Sequence, residues 1–248
     1  MIEYKMMNEE LFLCKCMHGG PVFKQELGKS VKDVDNHVVQ KVLKTMVSKY
    51  QSCAVLTIDT DLQNGIVGVL WFYPSILKTH ADINFCIQDT TEVEKLRTYM
   101  DIIKNAPLID NIPKDQRTLD IECLHVVLKS GEKEGITWEP YYSRGIGKTL
   151  VKTLITWAQR HGWKKIYATA IPDIKPLRLW WGAYTLNGYQ SLGFKILSDT
   201  KKFHPEVLEG VLHMKQGKHG DHMKKMWEEY SHVSDTHIAT TYKVVYEL

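Results

Sequence analysis

The chain has 248 residues, 44% of them hydrophobic and 25% charged, the make-up of an ordinary folded protein of one large domain or two small ones. With 32 basic and 29 acidic residues the formal charge is +3, too even for a surface that holds nucleic acid or an anionic membrane. Every apolar run falls short of the roughly 18 residues of a membrane span. Glu3, Lys5, Glu9 and Glu10 break up the first 13 residues, which argues against a signal peptide. The 5 cysteines have no repeated spacing and fit reduced thiols, so the sequence reads as soluble and cytoplasmic.

In chain order, Leu11 to Met17 is expected as a first strand, broken by Gly19-Gly20-Pro21. His37 to Tyr50 carries Val38, Val39, Val42, Leu43, Met46 and Val47 at helical spacing. Cys53 to Ile58 and Ile66 to Phe72 form a hairpin pattern around Asp59 to Gly65. Ile83 to Ile87 is a short strand candidate, Glu92 to Lys104 a helix, Leu119 to Leu128 a strand, and Lys129 to Glu139 a polar loop. A helix from Ile146 follows, then a strand over Ile166 to Ile171 and a helix over Leu177 to Leu192. A short apolar run at Lys195 to Leu197, a helix at His222 to Tyr230 and a last strand at Ala239 to Tyr246 complete the series. The economical organisation is one α/β domain over 1–248, with a core at about 118–198 and insertions at about 75–117 and 200–236.

The most informative stretch is Tyr142-Ser143-Arg144-Gly145-Ile146-Gly147-Lys148-Thr149. Ile146, Leu150, Val151, Leu154, Ile155, Trp157 and Ala158 trace one helical stripe behind it, and Gly162 stops the helix. Glycines at a helix entrance leave backbone N–H groups bare at the positive end of the dipole, where a phosphate binds without any particular side chain. Downstream, Tyr189-Gln190-Ser191-Leu192-Gly193-Phe194 closes another predicted helix.

Strand, Arg-Gly-x-Gly helix, strand, and a helix ending Tyr-x-x-Leu-Gly-Phe together resemble the GNAT superfamily of acetyl-CoA-dependent N-acetyltransferases. The resemblance covers roughly Leu119 to Leu197. It implies a mixed, mainly antiparallel sheet flanked by helices, and transfer of an acetyl group from acetyl-CoA to a primary amine in a ternary complex, with no metal. It further implies that Arg144, Gly145, Ile146, Gly147 and Lys148 hold the pyrophosphate, that Leu124, His125 and Val126 meet the thioester arm, and that Tyr189 protonates the leaving thiolate. The family's Gln/Arg position falls on Tyr142, and Gly182 stands near a position where many members carry Asn.

Glu122, on the strand before the loop, is the preferred general base, and His125 is the alternative with a suitable unperturbed pKa of about 6.5. Strict strand alternation puts these two on opposite faces. The acceptor amine and the oligomeric state are not legible. Two other functions compete: a non-catalytic acyl-CoA sensor or scaffold, and a P-loop-like nucleotide site at Gly145-Ile146-Gly147-Lys148-Thr149. The latter lacks its first glycine, since position 142 is tyrosine. Cys14-x-Cys16-x-His18 has a spacing that suits metal ligands but no fourth partner nearby. His213, His219 and His222 lie in a lysine-rich stretch that reads as a solvated loop, and Trp180-Trp181 as core packing or the wall of an acceptor pocket.

Overall fold

The computed structural model describes residues 1–15, 17, 20–27, 36–78, 87, 92–180, 182–198, 200–217 and 221–248. Contacts gather into two compact units, Met1–Ile166 with Leu248, and Tyr167–Glu247. Each combines helices with mainly antiparallel strand pairing, the mixed architecture that the sequence implied.

In the first unit, β1 (Ile2–Met6) pairs antiparallel with β2 (Ala54–Asp59), β2 with β3 (Gly65–Pro74), and β3 with β4 (Thr118–Val126). Ile2-Glu3-Tyr4-Lys5-Met6 alternates apolar with charged residues, the pattern of a half-exposed strand. The first strand was expected instead at Leu11 to Met17. There Phe12, Leu13 and Cys14 are consecutive and all buried, so the segment has no outward face. The Asn8 side chain accepts the N–H groups of Glu10 and Leu11 and turns the chain just before it. Helices α1 (Asn36–Tyr50) and α3 (Val93–Asn105) pack together, and the Lys49 ammonium donates to the Ile103 and Lys104 carbonyls at the end of α3. The one-turn helix α2 (Ser75–Lys78) lies between them in sequence. Of the strand expected at Ile83 to Ile87, all but Ile87 lies outside the described residues.

Lys129 to Glu139 is no plain loop. β5 (Gly131–Lys133) and β6 (Ile136–Trp138) make a two-stranded hairpin turned by Glu134 and Gly135, both at positive φ. Strands of 3 residues are too short to show a period in the sequence. Trp138 anchors the hairpin: its ring meets Phe23 edge-on at 6.1 Å, and its indole N–H donates to the Lys129 carbonyl at 3.1 Å.

Helix α4 (Ile146–Arg160) lays Leu150, Val151, Leu154 and Trp157 on β2 and β3. Its first residue needs a notch. A Cβ on Gly68 of β3 would stand 3.1 Å from Thr57 Oγ1 and 3.2 Å from Ile146 Cγ2, so glycine lets the start of α4 settle closely on the sheet where a side chain would press on both neighbours. Since Gly68 pairs with Val126, that notch also places the head of α4 by the C-terminal end of β4.

In the second unit, β10 (Thr240–Glu247) pairs antiparallel with β8 (Lys195–Ile196) and with β9 (Lys202–Phe203), and neighbours β7 (Lys165–Ala170). The helix expected over Leu177 to Leu192 is two helices, α5 (Lys175–Trp180) and α6 (Leu186–Gln190). Thr185 ends the extended connection and caps α6, accepting the Gly188 N–H at 3.1 Å. Helical spacing thus spanned two helices that a cap separates. Helices α7 (Pro205–Lys215), α8 (Asp221–Glu228) and α9 (Asp235–Ile238) follow. They close a core that includes Leu177, Val211, Met214, Trp227 and Ile238. Sequence reasoning found α8 and missed α7, whose apolar positions are diluted by Glu206, Glu209 and His213.

Candidate active site

The glycine-rich turn forms an uncapped helix start. Ser143 and Gly145 both adopt positive φ, +63° and +76°, and Gly145 is the N-cap of α4 with no side-chain cap bond. The first intrahelical bond runs from the Thr149 N–H to the Gly145 carbonyl at 3.1 Å. The N–H groups of Ile146, Gly147 and Lys148 precede that ladder and point out of the helix. No acidic residue stands in the first turn, while Arg144 and Lys148 are exposed beside it. A helix end with three N–H donors, two cations and no anion of its own attracts a phosphate. Ile146 contributes its backbone alone, because its side chain is buried on Gly68.

β4 supplies the neighbouring wall. The Val127 N–H donates to the Val67 carbonyl on β3 at 2.9 Å. Backbone groups alternate along a strand, so the His125 N–H also faces β3, whereas those of Leu124 and Val126 face away from it. Of the three thioester contacts expected, Leu124 and Val126 therefore turn their backbone N–H groups to the side of β4 away from β3, and the His125 N–H is turned toward β3.

The register of β3 on β4 changes the expected placement of the two bases. Trp71 pairs with Cys123 and Phe72 with Ile121, so Glu122 is an extra residue in a β-bulge. Directly opposed residues share a face. Leu119, Ile121, Leu124 and Val126 fall with Gly68, Leu70 and Phe72 on the side where α4 packs, Phe72 meeting Trp157 at 5.2 Å. Asp120, Cys123 and His125 fall with Val69, Trp71 and Tyr73 on the other. The Lys78 ammonium reaches Glu122 at 2.6 Å and Asp120 at 3.9 Å, which fixes Glu122 on the Asp120 face. Glu122 and His125 are thus on one face, not on opposite faces: the bulge breaks the alternation that would separate them. Glu122 is only 13% exposed and occupied by Lys78, so an amine that hands it a proton must share or displace that ammonium.

Tyr189 belongs to the second unit. It is 1% exposed, with the Tyr184 ring edge-on at 5.2 Å and the Phe194 ring at 4.8 Å. Gly188 makes room for Tyr184, since a Cβ there would stand 2.5 Å from that ring. Burial raises the Tyr184 phenol above its ordinary value.

Two residues beside the loop escaped sequence reasoning. Tyr141 donates its hydroxyl to Asp59 at 2.6 Å, and Arg144 lies over its ring at 4.9 Å. Burial, then the bond to the Asp59 carboxylate, pushes the Tyr141 phenol far above the usual range. Burial pulls the Asp59 carboxyl upward, but the Tyr141 hydroxyl and the Asp61 N–H outweigh it and leave it below its ordinary value. Nothing local in the sequence links positions 59 and 141.

Of the metal-like spacing Cys14-x-Cys16-x-His18, only Cys14 is among the described residues; Cys16 and His18 lie outside them. Burial pushes the Cys14 thiol up to about 12. Among the described residues no group of three or more His, Cys, Asp or Glu is placed to hold a metal, and no helix is long and apolar enough to cross a membrane. His219, Trp181 and the side chains of Trp180 and His222 are also outside the described set.

No family model and no curated protein matches the chain. Among solved structures it is similar to the acetyltransferase of GNAT family from Streptococcus pneumoniae, at 11% identity over 100% of both chains with a TM-score of 0.46. It is also similar to a mosquito arylalkylamine N-acetyltransferase like 5b, at 13% identity over 100% of both chains and TM-score 0.44. A GCN5-related N-acetyltransferase from Kribbella flavida matches at 12% identity over 100% of this chain and 98% of that one, with TM-score 0.44.

Proposed function

We propose that the protein is a GNAT-type acyltransferase that moves an acetyl group from acetyl-CoA to a primary amine within a ternary complex. One observation carries this reading: the uncapped head of α4, with N–H groups at Ile146, Gly147 and Lys148, lies by the C-terminal end of β4, where the N–H groups of Leu124 and Val126 turn away from β3. An anion site next to the C-terminal end of a strand suits a ligand with a pyrophosphate at one end and an amide-bearing arm leading away from it. The chemistry then needs little beyond alignment and proton transfer. The neutral amine attacks the thioester carbonyl, the carbonyl oxygen gains charge that the Val126 N–H stabilises, and the C–S bond breaks. Glu122 or His125, on one face of β4, takes the amine proton, and the coenzyme A thiolate gains a proton as it leaves, a part that the family resemblance gives to Tyr189.

Titration calorimetry decides the first part. Acetyl-CoA and coenzyme A are expected to bind, with ATP at least tenfold weaker with or without magnesium. Tight magnesium-dependent ATP binding and no heat with coenzyme A would move the site to the nucleotide class. Binding of acetyl-CoA with no acetylation across a broad amine panel would leave a sensor.

Glu122→Gln tests the base. It keeps the side-chain shape, so coenzyme A affinity is expected to stay within twofold while turnover falls about tenfold, a modest loss because His125 shares the face. The deficit deepens toward low pH, where less amine is neutral. Rates equal to wild type at every pH would remove Glu122 from the reaction.

A further inference from the structure

Resting on the acyl-CoA reading above, we propose that Tyr141 and Asp59 are positioning residues that hold the Arg144 guanidinium at the head of α4 as the side-chain contact to a phosphate of coenzyme A. The family's Gln/Arg position falls on a tyrosine, position 142, so no side-chain support for the loop was expected there. That residue, Tyr142, is 38% exposed, whereas its neighbour Tyr141 is 5% exposed.

Tyr141 is fixed at three points. Its N–H donates to the Val127 carbonyl at 2.9 Å, one residue past β4. Its hydroxyl donates to Asp59 Oδ2 at 2.6 Å. Its ring carries Arg144 at 4.9 Å. Asp59 ends β2, and its other oxygen accepts the Asp61 N–H at 3.0 Å, so the carboxylate is itself locked to the chain. A continuous frame therefore runs from the sheet to the guanidinium.

That frame answers a physical problem. An exposed arginine has many rotamers, and a ligand that must order it loses affinity. A phenol that donates to a carboxylate has an electron-rich ring, which favours a cation on its face. Among the described residues Arg144 makes no ion pair, so its charge stays available to a ligand. The residue is oriented without being neutralised.

The test is a double-mutant cycle on the full chain, read by calorimetric titration with coenzyme A and with dephospho-coenzyme A at several salt concentrations. Arg144→Ala and Tyr141→Leu are each expected to weaken coenzyme A about tenfold, the scale of one charge-assisted bond. Both should flatten the salt dependence of Kd, since each withdraws one cation from the phosphate. The double variant is expected to bind no more weakly than Arg144→Ala alone. Tyr141→Phe, which keeps the ring but loses the bond to Asp59, is expected to bind between wild type and Tyr141→Leu; wild-type affinity in it would remove Asp59 from the frame. A loss at Arg144→Ala that disappears with dephospho-coenzyme A assigns the contact to the 3′-phosphate, and a loss that persists assigns it to the pyrophosphate; either supports the proposal. Additive losses in the double variant, or wild-type affinity in Tyr141→Leu, would overturn the positioning role while the acyl-CoA reading stands. A wild-type protein that binds no coenzyme A overturns both.

Discussion

Tyr189→Phe is expected to lower turnover about 10²-fold while leaving the affinity for acetyl-CoA within about twofold. The substitution removes one hydroxyl and keeps the ring that Tyr184 and Phe194 pack against, so stability should change by about 1 kcal/mol or less. A thiolate is a poor leaving group next to a newly formed ammonium, and a placed proton donor contributes about 10²–10⁴-fold to such steps. The lower end applies because solvent can also protonate the departing thiolate. Stopped turnover with intact binding, measured on one preparation, separates chemistry from cofactor capture. Full activity in the variant would return Tyr189 to the role its burial already suits, a core aromatic.

Gly145→Val should weaken coenzyme A about 30-fold, close to 2 kcal/mol, with a smaller drop in thermal stability. A Cβ at Gly145 meets nothing within 4 Å, so space is not the obstacle. The obstacle is φ of +76°, which a β-branched residue does not adopt without strain. The turn must rearrange, and the N–H groups of Ile146, Gly147 and Lys148 lose their common direction. Gly145→Asn makes the control. Asparagine enters the left-handed region far more readily, so its affinity is expected within a few-fold of wild type. Equal losses in both would mean that side-chain bulk at the mouth matters rather than backbone conformation.

The legible parts of this protein were those with a local physical signature. The stripe of α4, the hairpin of β2 and β3 and the strand of β4 all announce themselves through period and glycine placement, and the structure puts them within a few residues of expectation. The glycine at the head of α4 likewise carried its own meaning. What failed was long-range or too short. The Tyr141–Asp59 bond joins residues 82 apart in the chain, and the β5–β6 hairpin has too few residues per strand to alternate visibly. Glu122 and His125 were separated by a parity rule that holds only for an unbroken ladder. A bulge depends on how the partner strand aligns, which no window of β4 contains.

That extra residue acts on β4 as an insertion acts on a reading frame. Upstream of Glu122, odd-numbered residues go to the α4 side; downstream, even-numbered ones do. Leu119 and Ile121 thereby join Leu124 and Val126 in one apolar layer, and Asp120 joins Cys123 and His125 in a polar one. Removing a single residue here would restore a regular strand and yet scramble its chemistry: one half of β4 would turn its leucines to the polar side or its histidine into the core. Relatives of this chain can therefore vary the side chain at position 122 with little effect on the layering, but they are not free to vary the count.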